Sequence, residues 1–280
     1  MRGKAIILSN QSISPGFKKL ALECPDIASQ ARPGQFVMVK VASGYDPLLR
    51  RPFGIHRRLD SGRIEILYQV VGRGTALLAD MQPGLALDVL GPLGNGFSIS
   101  DDIRQAVIVG GGIGIAPLMF LTEELAAKKI AAEVFYGAST ASHLVGIEGF
   151  KSLGIKPHIS TDDGTAGFKG FVSQLLENYL TSAKPQASSL KPQAYVYACG
   201  PRGMLAAVAN IASRYDLPCE VSLDAAMACG MGACLGCVVK GSYPINRVTT
   251  GDRGQGEGDK YSYLRVCREG PVFAAGDIQW

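Results

Sequence analysis

The chain has 280 residues, 47% of them hydrophobic, with 28 Lys and Arg against 24 Asp and Glu, a formal net charge of +4. That length suits two or three cores better than one, and so small a charge excludes the strongly basic surface of a nucleic-acid binder. The first twenty residues hold an apolar "AIIL" but neither the h-region nor the cleavage site of a signal peptide. No run approaches the ~18 apolar residues of a membrane span, so the cytoplasm is the expected compartment.

Residues 1–100 carry short β-type runs, "QFVMVKV", "RIEILYQVV" and "ALDVLGPLG", separated by Pro-Gly and Gly-rich turns. This pattern predicts an antiparallel barrel or sandwich. Over residues 101–218 apolar strands alternate with helical segments, from "QAVIVGGGIGIAPLMFLTEELAAKK" through "AEVFYGAS" and "KPHISTDDG" to "AYVYACGPRGMLAAVANIASRY". Alternation of this kind predicts βαβ units on a parallel sheet. Between them "TSAKPQASSLKPQ" reads as a loop before a strand at Ala194–Ala198. Residues 219–280 form a third, small, cysteine-bearing unit interrupted by a polar loop, "TTGDRGQGEGDK".

Two turns in the α/β segment have the chemistry of a nucleotide site. A strand at Ala106–Val109 runs into Gly110, Gly111, Gly112 and Gly114, and a helix is expected to start near Pro117. Backbone N–H groups at such a helix start point at a diphosphate, and glycines let it approach. The second turn, Cys199, Gly200 and Pro201, ends the strand at Ala194, at the sheet edge where ligands of open α/β sheets bind. Either turn alone also suits a plain strand-to-helix connection.

The cysteines are spaced C-x4-C from Cys229 to Cys234 and C-x2-C from Cys234 to Cys237, with Cys267 a distant fourth thiol. This is the plant-type spacing for a [2Fe-2S] cluster. Glycines at 230, 232 and 236 allow a close wrap whose N–H groups can bond the sulfurs. Zinc on the same thiolates, and a disulfide or plain core, remain the competing readings. Cys24 and Cys219 read as small buried hydrophobes.

With "RRPFGI" ahead of "GGGIGIAP" and "CGP", the chain resembles the ferredoxin-NADP reductase superfamily. The resemblance implies an antiparallel flavin-binding β-barrel, a parallel-sheet nucleotide-binding domain and, here, a small C-terminal [2Fe-2S] domain. It places FAD on Arg51, Pro52, Phe53 and Gly54, then Leu67, Tyr68 and Gln69, then Gly74 and Thr75. Arg51 would meet the diphosphate and the aromatic side chains would flank the flavin ring. NAD falls to Gly111, Gly112, Gly114, Cys199, Gly200 and Pro201. The family often has Ser or Thr where Gly54 stands, leaving only a backbone amide for the flavin.

"MACGMGACLGC" with "VCREGPVF" narrows the resemblance to the electron-transfer subunits of NAD-dependent heteromeric dihydroorotate dehydrogenases. That implies an iron–sulfur cluster on Cys229, Cys234, Cys237 and Cys267, an FMN-containing catalytic partner, a two-plus-two heterotetramer, and no orotate chemistry on this chain. His56, His143 and His158 are scattered, and each reads as an ordinary histidine. The 29 residues between Cys237 and Cys267 exceed the family's spacing, and the excess, "NRVTTGDRGQGEGDKYS", reads as a loop insertion. Electrons would pass between NAD(H) and the partner through FAD and the cluster, in pyrimidine biosynthesis. "FYGASTASHL" holds no Lys or Arg for a 2′-phosphate, so NADH is expected over NADPH. The alternatives are a reductase component of a sulfide dehydrogenase, ferredoxin-linked transhydrogenase or oxygenase, and a nucleotide sensor with structural zinc.

Overall fold

The computed structural model describes residues 2–59, 62–182, 194–242 and 262–280. The expected loops at 181–193 and 246–262 lie almost wholly outside the described residues.

The first sheet is built from β1 (Arg2–Ser14), β2 (Phe17–Glu23), β3 (Phe36–Val39), β4 (Arg51–Gly54), β5 (Arg57–Leu59), β6 (Arg63–Gln69) and β7 (Ala86–Leu93). Two short helices, α1 (Pro25–Ala28) and α2 (Arg73–Ala79), interrupt it. Every pairing is antiparallel, in the order β4-β3-β7-β1-β2-β6-β5. The end strands β4 and β5 are joined by only Ile55 and His56, so the sheet must curl until its ends meet. Alternating apolar residues such as Ile7, Leu20, Leu22, Ile64, Ile66 and Val89 fill the inside at 0–1% exposure.

The second sheet holds β8 (Gln105–Gly111), β9 (Ala131–Ala138), β10 (His158–Thr161), β11 (Phe168–Lys169), β12 (Ala194–Cys199) and β13 (Cys219–Ser222). Its helices are α3 (Ile115–Ala127), α4 (Ile147–Ser152), α5 (Val172–Ser182) and α6 (Arg202–Arg214). The strands are parallel in the order β11-β10-β9-β8-β12-β13. Successive residues of β8 face opposite layers: Ala106 and Ile108 pack with α3, Val107 and Val109 with α5 and α6. β8 and β12 lie at the point where the strand order reverses, which opens a crevice at their carboxyl ends.

The remaining segment contributes β14 (Val238–Lys240) and β15 (Tyr263–Arg265), paired antiparallel, and β16 (Val272–Ala274). β16 pairs antiparallel with β13, so the second sheet continues past residue 218 and takes its edge strand from the cysteine-bearing lobe. One core cluster accordingly mixes Phe36 and Met38 of the barrel with Val196 and Val221 of the sheet and Cys237 and Cys267 of the lobe.

The barrel is also clasped to α3 by three consecutive residues. His56 Nδ1–H donates to the Ala116 carbonyl at 2.7 Å, Arg57 pairs with Glu123 at 2.5 Å, and Arg58 with Glu124 at 2.8 Å. Burial holds the His56 imidazole neutral, its pKa lowered to about 4.

Candidate functional site

The helix expected near Pro117 starts at Ile115, after a tight turn over Gly112–Gly114. Proline is tolerated at the third helical position because first-turn N–H groups have no intrahelical acceptor. Gly114 is required by packing, since a Cβ there would overlap the Cys199 carbonyl and sit 2.7 Å from Gly200 Cα. The two nucleotide-type turns thus touch each other across the crevice between β8 and β12.

A single cavity of about 690 Å³ opens at this point. Of the nucleotide-turn residues, Gly111, Gly112, Gly114, Cys199, Gly200 and Pro201 all line it. From the barrel come Pro52, Phe53, Gly54, Leu67, Tyr68, Gln69 and Thr75. The lobe adds Asp224, Met227 and Pro271. Three segments far apart in sequence therefore share one space.

Phe53 and Tyr68 touch the cavity, yet they are only 8% and 2% exposed and pack edge to face at 5.6 Å in the barrel core. The Tyr68 hydroxyl donates to Asn10 Oδ1 at 3.0 Å, and burial pushes its pKa up to about 12. Both residues belong to the cavity wall while most of their surface is packed in the barrel core. A Cβ on Gly54 would meet Pro117 at an ordinary 3.4 Å, so nothing steric imposes glycine there.

Arg51 and Gly74 lie just behind the cavity lining. The neighbouring Arg50 is spent on Asp88, at 2.6 Å to its carboxylate. Arg51 donates to the Leu49 carbonyl at 2.6 Å and has no carboxylate partner among the described residues. Its guanidinium sits against Gly74 in the first turn of α2. There the Thr75 hydroxyl accepts the N–H groups of Val71 and Gly72 at 2.9 and 3.1 Å, which fixes the turn.

The four cysteines of the lobe fall into two pairs. All four are free thiols: Cys229 is hydrogen-bonded with Cys234 at the outer face, and Cys267 with Cys237 inside, where these two are 2% and 4% exposed. Among the described residues no three His, Cys, Asp or Glu side chains gather as a single ion would need. N–H groups point at every sulfur: Met231 at Cys229, Gly236 at Cys234, Cys267 at Cys237, and Gly232 at Cys267, at 3.1–3.5 Å. Burial raises the Cys229 thiol, but the N–H groups of Met231 and Cys234 outweigh it and hold the pKa down to about 6. Burial and the adjacent Cys237 push Cys267 up to about 12. Gly230 packs on Met38 of β3, docking the loop on the barrel, while Met231 and Leu235 stand 55% and 58% exposed beside the exposed Cys234.

Cys24 is 4% exposed in the barrel core, and Cys219 begins β13 with burial raising its thiol to about 12. His143 bonds Ser139 and His158 pairs with Glu133, both outside the cavity. Sequence reasoning missed Ser222, Asp224 and Arg202, which also line it. The only local signal was the position of Asp224 at the head of the cysteine stretch, five residues before Cys229.

Comparison with known proteins agrees with this layout. Residues 224–279 match the model for the iron–sulfur cluster binding domain of dihydroorotate dehydrogenase B, and residues 108–210 that for an oxidoreductase NAD-binding domain. The chain is 37% identical over 277 residues to the electron transfer subunit of dihydroorotate dehydrogenase B (NAD(+)) of Desulforamulus reducens, covering 99% of this chain and 97% of the relative. The same subunit of Geobacillus kaustophilus is 37% identical over 281 residues, with 99% and 98% covered. Among solved structures, the NADH-dependent reduced ferredoxin-NADP oxidoreductase studied for flavin-based electron bifurcation superposes with a TM-score of 0.77 at 26% identity, over 99% of this chain and 90% of that one. A ferredoxin NADP+ reductase from Neisseria gonorrhoeae shares the fold, with a TM-score of 0.63 at 19% identity over 76% and 91%. With relatives this similar along nearly its whole length, the chain belongs to the family of electron transfer subunits of dihydroorotate dehydrogenase B.

Proposed function

We propose that this chain carries electrons between NAD(H) and an FMN-containing catalytic dihydroorotate dehydrogenase subunit, using FAD and a [2Fe-2S] cluster, in a two-plus-two heterotetramer. The observation that carries the reading is the shared cavity, where the flavin-type barrel segment, both nucleotide-type turns and the cysteine lobe converge.

The residues present fit both groups. A binuclear cluster needs four thiolates in two pairs with N–H donors on the sulfurs, which is the arrangement of Cys229 with Cys234 and Cys237 with Cys267. FAD needs a cation for its diphosphate and a long pocket for its ring, and Arg51 with the cavity supplies them. Bound there, the flavin supplies the exchange between a two-electron hydride and single electrons.

The chain's own residues do the rest. Arg51 and the turn at Thr75 would hold the flavin diphosphate, while Pro52–Gly54 and Leu67–Gln69 shape the space for its ring. Gly111, Gly112 and Gly114, facing Cys199–Pro201, would hold the nucleotide with its nicotinamide end toward the barrel. Met227 lines the cavity and Cys229 follows two residues later, so the path from cavity to cysteines is short. The Cys229–Cys234 pair lies on the outer face, where exposed Met231 and Leu235 offer apolar contact to a partner.

Absorbance of the purified chain, followed by co-expression with the FMN protein, tests the reading. Flavin and cluster bands, bleaching by NADH, and a co-purifying FMN subunit are expected. A colourless zinc protein overturns it, and a coloured chain that reduces a ferredoxin or oxygenase but binds no FMN subunit assigns it to a different electron route.

A further inference from the structure

A hydride carries one proton and two electrons, whereas an iron–sulfur centre passes electrons alone. When the two electrons from NADH leave through the cysteine lobe, one proton per pair has to leave the cavity for solvent. In the reverse direction one proton per pair has to enter, to complete the hydride given to NAD+. The cavity therefore needs a proton-exchanging group, on the same reading that puts flavin and nicotinamide inside it.

Few lining residues can serve. The described titratable side chains on its wall are Tyr68 from β6, Cys199 from the end of β12, Arg202 from the start of α6 and Asp224 just past β13. Tyr68 is committed to Asn10 and buried, with a pKa of about 12. Cys199 is buried, its thiol bonded with Ser222 and raised to about 12, in part by the nearby Asp224. Arg202 stays charged, its guanidinium on the Gln279 carbonyl at 2.8 Å. Asp224 is the one carboxyl on the described wall. The register Cys199↔Ser222 places it beside the nucleotide turn. It keeps exposed surface, so a water at the cavity mouth can reach it.

We infer that Asp224 is the proton port of this cavity, its carboxylate oxygen accepting the proton left behind when electrons depart and handing it to solvent water. In the reverse flow the protonated carboxyl returns a proton from water. Desolvation keeps the Asp224 pKa above the ordinary carboxylate range, against the Ala225 N–H, which lowers it. That brings the group closer to neutrality, where a proton carrier works best.

The test uses the full chain loaded with FAD and cluster, mixed anaerobically with NADH in the presence of a pH-indicator dye. Flavin bleaching, appearance of reduced cluster and proton release are read in the same mixing experiment. Asp224→Asn should slow proton release and cluster reduction by about a hundredfold and flatten their pH dependence, with flavin bleaching slowed far less. Asp224→Glu should restore both. A carbon-13 NMR titration of the Asp224 carboxyl in the flavin-free chain should show the raised pKa without any turnover. Proton release in Asp224→Asn at the wild-type rate and pH profile overturns the proposal, as does loss of bound flavin, which would make the residue structural. A wild-type chain whose flavin NADH does not bleach overturns the flavin–nicotinamide reading itself, and the proton port with it.

Discussion

The side chain of Arg51 fills the space that a Cβ on Gly74 would need: that carbon would lie 2.5 Å from Nε and 3.1 Å from Cζ. The guanidinium is thereby held at the first turn of α2, with no carboxylate partner among the described residues. Arg51→Ala should weaken FAD binding about ten- to a hundredfold, roughly 1.5–3 kcal/mol for a charge-assisted contact. Gly74→Ala should do the same by displacing the arginine, and the double variant should be no worse than either single one. Flavin content after dilution and gel filtration checks this, with the cluster bands retained throughout.

Each of Cys229, Cys234, Cys237 and Cys267 changed to Ser should remove iron and the cluster's visible bands, because two pairs of thiolates leave no spare ligand. NADH should still bleach the flavin in these variants, since no lobe cysteine lines the cavity. Transfer to the FMN partner should fail. Cys24→Ser and Cys219→Ser should leave iron content unchanged. A cluster lost with Cys219→Ser and kept with Cys267→Ser would redraw the ligand set.

NADH should be preferred over NADPH by about tenfold or more in kcat/KM, measured by dye reduction. The end of β9 carries no Lys or Arg over Ser139–Leu144. Next to it Asp162 and Asp163 donate their N–H groups to the carbonyls of Ala138 and Ser139, at 3.1 and 3.3 Å. Negative charge on Asp162 and Asp163 beside this segment would oppose a 2′-phosphate bound there. Comparable efficiency with the two nucleotides would contradict the assignment.

His56 makes the fold acid-sensitive. Its pKa falls from 6.5 in the free side chain to about 4 in the fold, so the buried ring stays neutral where the unfolded chain is already charged. Above about pH 6.5 both states are neutral and stability is fully present; as pH falls from there towards about 4, up to about 3 kcal/mol is lost. Urea midpoints across this range should drop steeply for the wild type and less for His56→Gln. The loss comes from burying the charged ring, since the Nδ1–H to the Ala116 carbonyl is kept on protonation.

The motifs legible in the chain were those whose chemistry is local. Gly111–Gly114 and Cys199–Pro201 each follow an apolar strand, and the C-x4-C and C-x2-C spacings bring three thiols onto one loop, so short stretches declare them. The three-part division was readable for the same reason, since period-two and strand–helix textures are set by near neighbours. The start of α3 was misplaced by two residues because a proline inside the first turn costs no hydrogen bond, and Pro117 marks that turn only loosely.

Only the tertiary structure decided which of these pieces meet. The pairing of β16 with β13, the packing of Gly114 on Cys199 and the seat of Arg51 on Gly74 are contacts between residues far apart in the chain. So is the wall that Asp224, Cys199 and Tyr68 share. No spacing encodes such contacts; they arise because three apolar faces bury one another, and burial is non-directional until side-chain shape selects the fit. The same packing buries most of Phe53 and Tyr68 in the barrel core, since a large ring gains more there than in an open cavity. Short stretches of sequence carried the signals for the cofactor chemistry; only the packing of three units encloses the one cavity where the barrel, the glycine turns and the lobe meet.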